Sequence, residues 1–330
     1  MPDSFLRISG RMTRRPQRTF DVGIVGGGPA GLSGAIWAAR YLHSVALVDS
    51  GDPRNWETRG IYGYLGFEGV RPAELRERGR EICRSLGVEL IDAIVLRAEH
   101  RAAEELCLSL EGGERVVSRR LLLAIGIRDV WPDIPGLEHV YGANAHVCPD
   151  CDGYSTRDKK VVVVGNGRRA VGMALNLTTW TRDIIICTNG RPPELDEAEY
   201  CAKLDALNVP VLTERIVRVC YDGRSIHCLM LANGMQLDTD KLFFTIGQYP
   251  ADDLGVQLGC ERDDEGRIVV DEHCRTSVEQ VFAAGDITAG SQLAIRAAAD
   301  GARAALAIHA SLVPATRKLK PRSPAATRPA

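Results

Sequence analysis

Cys148-Pro149-Asp150-Cys151-Asp152-Gly153 contains the chain's one Cys-x-x-Cys. Two cysteines at this spacing can close a small, exchangeable disulfide. If the same residues open a helix, its unpaired N–H groups and dipole stabilise a thiolate, the reactive form of cysteine. That places thiol–disulfide exchange first among the chemistries open to the motif. Half of a zinc site has the same spacing, but the other eight cysteines supply no second Cys-x-x-Cys to complete it, and no metal is expected. Asp152 stands next to the pair and could manage protons for a leaving thiol if burial raises its pKa; it also suits the first turn of a helix as a residue favoured by the dipole. His146 could tune the thiols, and an ordinary surface histidine fits it equally.

Two glycine-rich turns flank this stretch in the sequence. Residues 20–25 read as a buried parallel strand, Gly26-x-Gly28-x-x-Gly31 follows, and an apolar helix runs to about Tyr41. A second strand ends at Asp49, eighteen residues after Gly31. In such a unit the first glycine makes the turn, the second lets backbone approach a pyrophosphate, and the third lets helix and strand pack closely. The helix N-terminus faces phosphate, and the acid accepts from ribose hydroxyls. The plan repeats after the dithiol, with a strand over 160–164, the turn Gly165-x-Gly167-x-x-Ala170, a helix to about Trp180 and a strand over 183–187. Thr188 occupies the position of Asp49.

The remaining elements complete a doubled α/β design. Residues 71–86 read as a charged amphipathic helix, 88–110 with 115–123 as a β-meander, and Leu121 to Gly126 as a buried strand ending in glycine. A second meander spans about 211–238, and Leu242 to Gly247 echoes Leu121 to Gly126. Residues 52–70 form a turn-rich excursion of the kind that covers a site. Val281 to Asp286 reads as a strand followed by glycine and acid, and an alanine-rich helix runs from Gln292 to about Leu312. The predicted fold is α/β, with two Rossmann-like dinucleotide-binding domains carrying β-meander insertions. Residues 20–138 and 273–313 make the first domain and 139–272 the second, with a disordered basic leader over 1–19 and a disordered tail over 314–330. The chain has 330 residues, a formal net charge of −2 and 5% aromatics, which give no bulk case for nucleic-acid or membrane-surface binding. Scattered cysteines in apolar runs suit a reducing compartment, and no apolar run is long enough to span a bilayer, so a cytoplasmic location is expected.

These stretches together resemble the low-molecular-weight thioredoxin reductases, across roughly residues 20–312. The resemblance rests on the first glycine turn with Asp49, the Ala124-Ile125-Gly126 strand end, the Cys148–Gly153 motif, the second glycine turn, and Ala284-Gly285-Asp286. It implies FAD in the first domain, held by Gly26, Gly28, Pro29, Ala30, Gly31, Asp49, Ser50, Arg54, Asn55, Ala124 and Gly126. Gly285, Asp286, Gln292, Leu293 and Ala294 would complete that site. It also implies that Cys151 lies against the flavin, Cys148 attacks the substrate disulfide, and Asp152 serves as general acid and base. The family rotates its domains between flavin-facing and partner-facing states, and a homodimer is expected on the same ground.

The sequence departs from the family where NADPH would bind. The family's His-Arg-Arg stretch, which grips the 2′-phosphate, is Thr188-Asn189-Gly190 here. Recognition of that phosphate normally uses paired cationic donors, and an acid at Thr188 would have favoured NADH. Arg168 and Arg169 fill the variable positions of the second turn, either binding phosphate in a new way or blocking it. The leading expectation is therefore an FAD-dependent thiol–disulfide oxidoreductase that does not use NADPH or NADH well. A ferredoxin or a second flavin would be its donor, and a thioredoxin-like protein or a small-molecule disulfide or dithiol its partner. The alternatives are an ordinary NAD(P)H-dependent thioredoxin reductase, an oxygen-dependent oxidase of small dithiols, and a flavin-binding redox sensor.

Overall fold

A computed structural model describes residues 17–102, 104–195, 198–245 and 247–319. The chain begins with β1 (Gln17–Val25), α1 (Pro29–Arg40) and β2 (Val45–Asp49). Next come α2 (Pro72–Ser85), β3 (Glu89–Asp92), β4 (Val95–Ala102), β5 (Glu105–Leu110) and β6 (Arg115–Leu123). Strands β3, β2, β1 and β6 lie parallel in that order. The burial of all five residues of β2 fits a strand covered on both faces. The expected meander over 88–110 is shorter than its sequence span, because β3 pairs parallel with β2, and only β4 and β5 fold back antiparallel along the first half of β6.

The second unit is reached through β7 (Ile127–Asp129), α3 (Leu137–Val140), β8 (Ala145–His146) and the short helix α4 (Pro149–Asp152). It continues through β9 (Val161–Val164), α5 (Gly167–Leu177), β10 (Ile184–Cys187), α6 (Ala198–Ala206) and β11 (Val211–Leu212). The meander is β12 (Ile216–Asp222), β13 (Ser225–Leu231) and β14 (Gln236–Asp238), and β15 (Lys241–Phe244) returns to the parallel sheet. That sheet has the order β11-β10-β9-β15-β8 and is parallel throughout. Val211 and Leu212 thus belong to it, not to the expected meander.

The chain returns through β16 (Gln248–Pro250), which pairs antiparallel with β7, so the outgoing and returning connections run side by side. After α7 (Leu254–Gln257), β17 (Val281–Ala283) joins the C-terminal half of β6, and α8 (Ala294–Leu312) closes the first unit. The boundary at residue 273 moves earlier. Leu254, Leu258, Cys260 and Ile268 are buried in one core with Leu106, Leu123 and Val281 of the first sheet. At the start, β1 takes in residues 17–19 of the expected leader, and residues 315–317 form a 3₁₀ turn inside the expected tail. Residues 1–16 and 320–330 lie outside the described residues.

Among the described residues, no helix is long and apolar enough to cross a membrane. Nor is any group of three or more His, Cys, Asp or Glu placed to hold a metal ion.

Candidate active site between two dinucleotide-binding units

Steric necessity sets the first glycine turn. Gly26 has φ +104°, and a Cβ there would sit 2.3 Å from the Ala124 carbonyl oxygen. A Cβ on Gly31 would sit 1.8 Å from the Gly26 carbonyl oxygen, so α1 could not approach its strand. Gly28 meets nothing within 4 Å: its backbone borders open space at the N-terminus of α1.

That space is a cavity of about 390 Å³ lined by Gly26, Gly28, Pro29, Ala30, Asp49, Ser50, Arg54, Asn55 and Ala124, and by Gly285, Asp286, Gln292, Leu293 and Ala294. Gly31 and Gly126 do not line it: Gly31 packs against the turn, and Gly126 has φ +68° and accepts from the Ala251 N–H at 3.2 Å. The lining suits a dinucleotide, with a helix N-terminus and bare backbone at one end and apolar walls beyond.

Asp49 lines the cavity and is held by arginines of α2. Its Oδ2 is paired with Arg76, with Arg80 Nη1 at 3.7 Å, and its Oδ1 accepts from the Gly51 N–H at 3.3 Å. Competition from two arginines on α2 therefore meets any ribose hydroxyl that approaches this carboxylate. Arg54 is equally committed. It donates through Nε to Asp129 Oδ2 at 2.7 Å and through Nη1 to Gln292 Oε1 at 2.8 Å and Asp286 Oδ2 at 3.3 Å. Burial raises the pKa of Asp286, and the Arg54 charge opposes the rise. Gln292 also exchanges amide hydrogen bonds with Gln248, at 2.7 and 3.1 Å. Arg54 thus ties the 52–70 excursion to β7 through Asp129 and, by way of Gln292, to β16 through Gln248.

The dithiol opens into the same cavity, whose lining includes His146, Val147, Cys148, Asp150, Cys151 and Asp152. Cys148 and Cys151 are joined as a disulfide, with Cα atoms 5.3 Å apart. Cys148 caps α4, and its Sγ accepts from the Cys151 N–H at 3.1 Å. Gly153 follows because a Cβ there would lie 2.4 Å from the Trp180 ring. His146 is buried, 6% exposed, and its Nδ1 lies 3.2 Å from Asp152 Oδ1. Lys241, on the neighbouring strand β15, brings Nζ to 3.3 Å from His146 Nε2. No signal in the sequence links Lys241 to His146, which stands ninety-five residues away.

The second glycine turn differs from the first. Asn166 caps α5: its Oδ1 accepts from the N–H groups of Gly167 at 3.0 Å and Glu194 at 2.9 Å, and its Nδ2 donates to the Pro192 carbonyl at 2.8 Å. Residues 192–194 are thereby drawn over the turn. Glu194 Oε2 comes within 3.1 Å of the position a Cβ on Gly167 would occupy. Thr188 is buried and donates to the Arg191 carbonyl. Arg168 and Arg169 are exposed, and Arg169 pairs with Glu265 of the first unit at 3.7 Å. Ala170 is buried and lines no part of the dithiol cavity.

Two Rossmann-type units, one dinucleotide cavity and a disulfide facing it define a flavin-dependent disulfide oxidoreductase. Residues 20–301 match the model of the pyridine nucleotide-disulphide oxidoreductase family, and the chain belongs to that family as a thioredoxin reductase-like member. It is 30% identical over 309 residues to the thioredoxin reductase of Mycolicibacterium smegmatis, covering 88% of this chain and 96% of that protein. Among solved structures, HlmI superposes with a TM-score of 0.85 at 32% identity, covering 89% of this chain and 92% of that one. The thioredoxin reductase of Streptococcus pyogenes MGAS5005 superposes with a TM-score of 0.83 at 25% identity, covering 89% and 98%.

Proposed function

We propose that the chain carries electron pairs between FAD in the first unit and an external disulfide through Cys148 and Cys151, and that a nicotinamide dinucleotide is not the electron source. The carrying observation is the covered second turn. A carboxylate, Glu194, stands at the N-terminus of α5 where a cofactor pyrophosphate would need that position. Thr188, Asn189 and Gly190 meanwhile form a tight turn in place of a 2′-phosphate grip. A ferredoxin or a second flavin remains the donor that the dithiol reading calls for.

FAD, when bound, supplies a two-electron reductant beside the disulfide. The residues of the chain account for the rest. Reduced Cys148 attacks a partner disulfide, and a mixed disulfide forms as the first partner sulfur leaves. Cys151 then attacks Cys148 Sγ, which restores the Cys148–Cys151 bond and frees the second partner sulfur. Two electrons and two protons pass to the partner. Asp152, lining the same cavity, is the proton carrier for the leaving sulfurs. A thioredoxin-like protein is the partner that the family relatives suggest, and it cannot enter a 390 Å³ cavity, so exchange with it requires the units to turn apart.

The relatives called thioredoxin reductases, and the retained Gly165-x-Gly167-x-x-Ala170, favour a second reading in which NAD(P)H still drives the enzyme. Anaerobic titration of the FAD-loaded protein with NADPH and with NADH, following the visible flavin band, separates the two. We expect no rapid bleaching by either, and full bleaching by dithionite or a small dithiol. Rapid bleaching by one nicotinamide would return the ordinary reductase to first place. Hydrogen peroxide formed with small dithiols would instead mark a dithiol oxidase.

A further inference from the structure

We infer that His146 and Lys241 form a buried positioning pair that holds the Asp152 carboxyl in the wall of the cavity it shares with the dithiol. The inference rests on the dithiol reading above. Lys241 Nζ donates to the Ala143 carbonyl at 3.1 Å and lies 3.3 Å from His146 Nε2. An ammonium has only donors, so His146 Nε2 must accept, and a neutral imidazole then carries its proton on Nδ1. Nδ1 lies 3.2 Å from Asp152 Oδ1, within ion-pair distance. Asp152 lines the cavity with both cysteines.

The surroundings keep this line fixed. His146 sits against the Phe243 ring, with centroids 5.4 Å apart, on paired strands β8 and β15. Burial lowers the pKa of Lys241, and the nearby Asp152 charge opposes that fall; Arg59, Lys159 and Asp240 also act on the ammonium. Tyr141, at the end of α3, is near enough to feel the Asp152 charge, and burial pushes its phenol up to about 12, so it stays neutral.

The protons balance as follows. Cys148 passes its proton to Asp152 and attacks the partner disulfide, and Asp152 returns that proton to the first leaving sulfur. Cys151 then passes its proton to Asp152 while attacking Cys148 Sγ, and Asp152 delivers it to the second leaving sulfur. Two sulfur–sulfur exchanges occur, and the cysteine pair loses the two electrons that the partner gains.

Leaving-group dependence tests the positioning pair. An alkyl thiol needs a proton to leave, whereas an aromatic nitrobenzoate thiol leaves readily as its anion. Full-length protein, with and without FAD, is reduced with a dithiol and desalted. It is then mixed with either hydroxyethyl disulfide or dithiobis(nitrobenzoate), and the single turnover is followed. We expect His146→Gln to slow the alkyl reaction roughly ten- to a hundredfold, by analogy with the partners that orient ligands in metal sites. The aromatic reaction still needs Asp152 to take the Cys148 proton but needs no proton for its leaving sulfur, so it should slow less than the alkyl one, and His146→Gln/Asp152→Asn should be no slower than Asp152→Asn alone. Lys241→Met should act like His146→Gln, with Lys241→Arg keeping the native rate. Equal slowing with both probes, additive losses, or no slowing would overturn the positioning pair. If Cys148→Ser and Cys151→Ser also keep two-thiol exchange, it is the dithiol reading that fails.

Discussion

At the scale of residues, burial sets Cys83 and Cys274 apart from the two cysteines that line the cavity. Cys83 and Cys274 are buried with thiols pushed up to about 11 by desolvation, so they stay protonated near neutral pH, whereas Cys148 and Cys151 face a cavity. Burial acts on Asp252 as well, raising its pKa to about 6, with the nearby Asp253 charge adding to the rise and the Leu254 N–H opposing it. A carboxyl whose folded pKa is raised is most favourable to folding when protonated. Its contribution is complete below the ordinary value of 3.8 and is lost as pH rises through about 6. Asp252→Asn keeps the acceptor that the Leu254 N–H uses at 2.9 Å. It should therefore stabilise the protein by about 2–3 kcal/mol at about pH 8 and hardly at all at about pH 4. Thermal unfolding at the two pH values checks this; an equal shift at both would contradict it.

Small residues let the elements approach closely enough to frame the cavity. A Cβ on Gly301 of α8 would lie 1.9 Å from the Ala30 carbonyl oxygen of α1, and one on Gly34 would lie 2.6 Å from Leu122 Cδ2. Ala30 and Pro29 line the cavity, so the crossing of α1 and α8 sets its floor. Gly301→Ala should force the helices apart, destabilise the protein by about 1–3 kcal/mol and weaken FAD retention. Gly172→Ala, on an exposed face of α5 with nothing within 4 Å, is the matched control and should gain about 0.5–1 kcal/mol. Denaturant unfolding of the FAD-free protein and FAD titration measure both effects. Undiminished stability and FAD binding in Gly301→Ala would show that the crossing is looser than its geometry implies.

At the scale of the whole molecule, the two units touch through polar contacts of modest strength. Arg224, in the turn between β12 and β13, reaches the Glu57 carbonyl at 3.4 Å and Glu57 Oε2 at 3.3 Å, and Arg169 reaches Glu265 at 3.7 Å. Both ion pairs are about half exposed, and such pairs contribute about 0–1 kcal/mol each. Arg224→Ala combined with Glu265→Ala should raise the exchange rate with a thioredoxin-sized disulfide several-fold and leave a small disulfide unaffected. Rates that change together for both substrates would count against a partner-limited opening.

The sequence alone determined the two glycine turns, the strands and helices around them, and the Cys-x-x-Cys. Each is set by local rules: a turn that tolerates no Cβ, hydrophobic periodicity, and two cysteines three residues apart. That Thr188, Asn189 and Gly190 carry no charge was equally legible, because it is a matter of residue type at a fixed offset. Tertiary structure decided the rest. Lys241 meets His146 because β15 lies beside β8 in the second sheet. Glu194 covers Gly167 because Asn166 pins a loop whose path no local pattern encodes. Arg76 claims Asp49 across twenty-seven residues, and residues 254–268 fall into the first core instead of the second. These contacts depend on strand order and loop closure, which arise only when distant segments bury their apolar faces together, so no short window of sequence contains them.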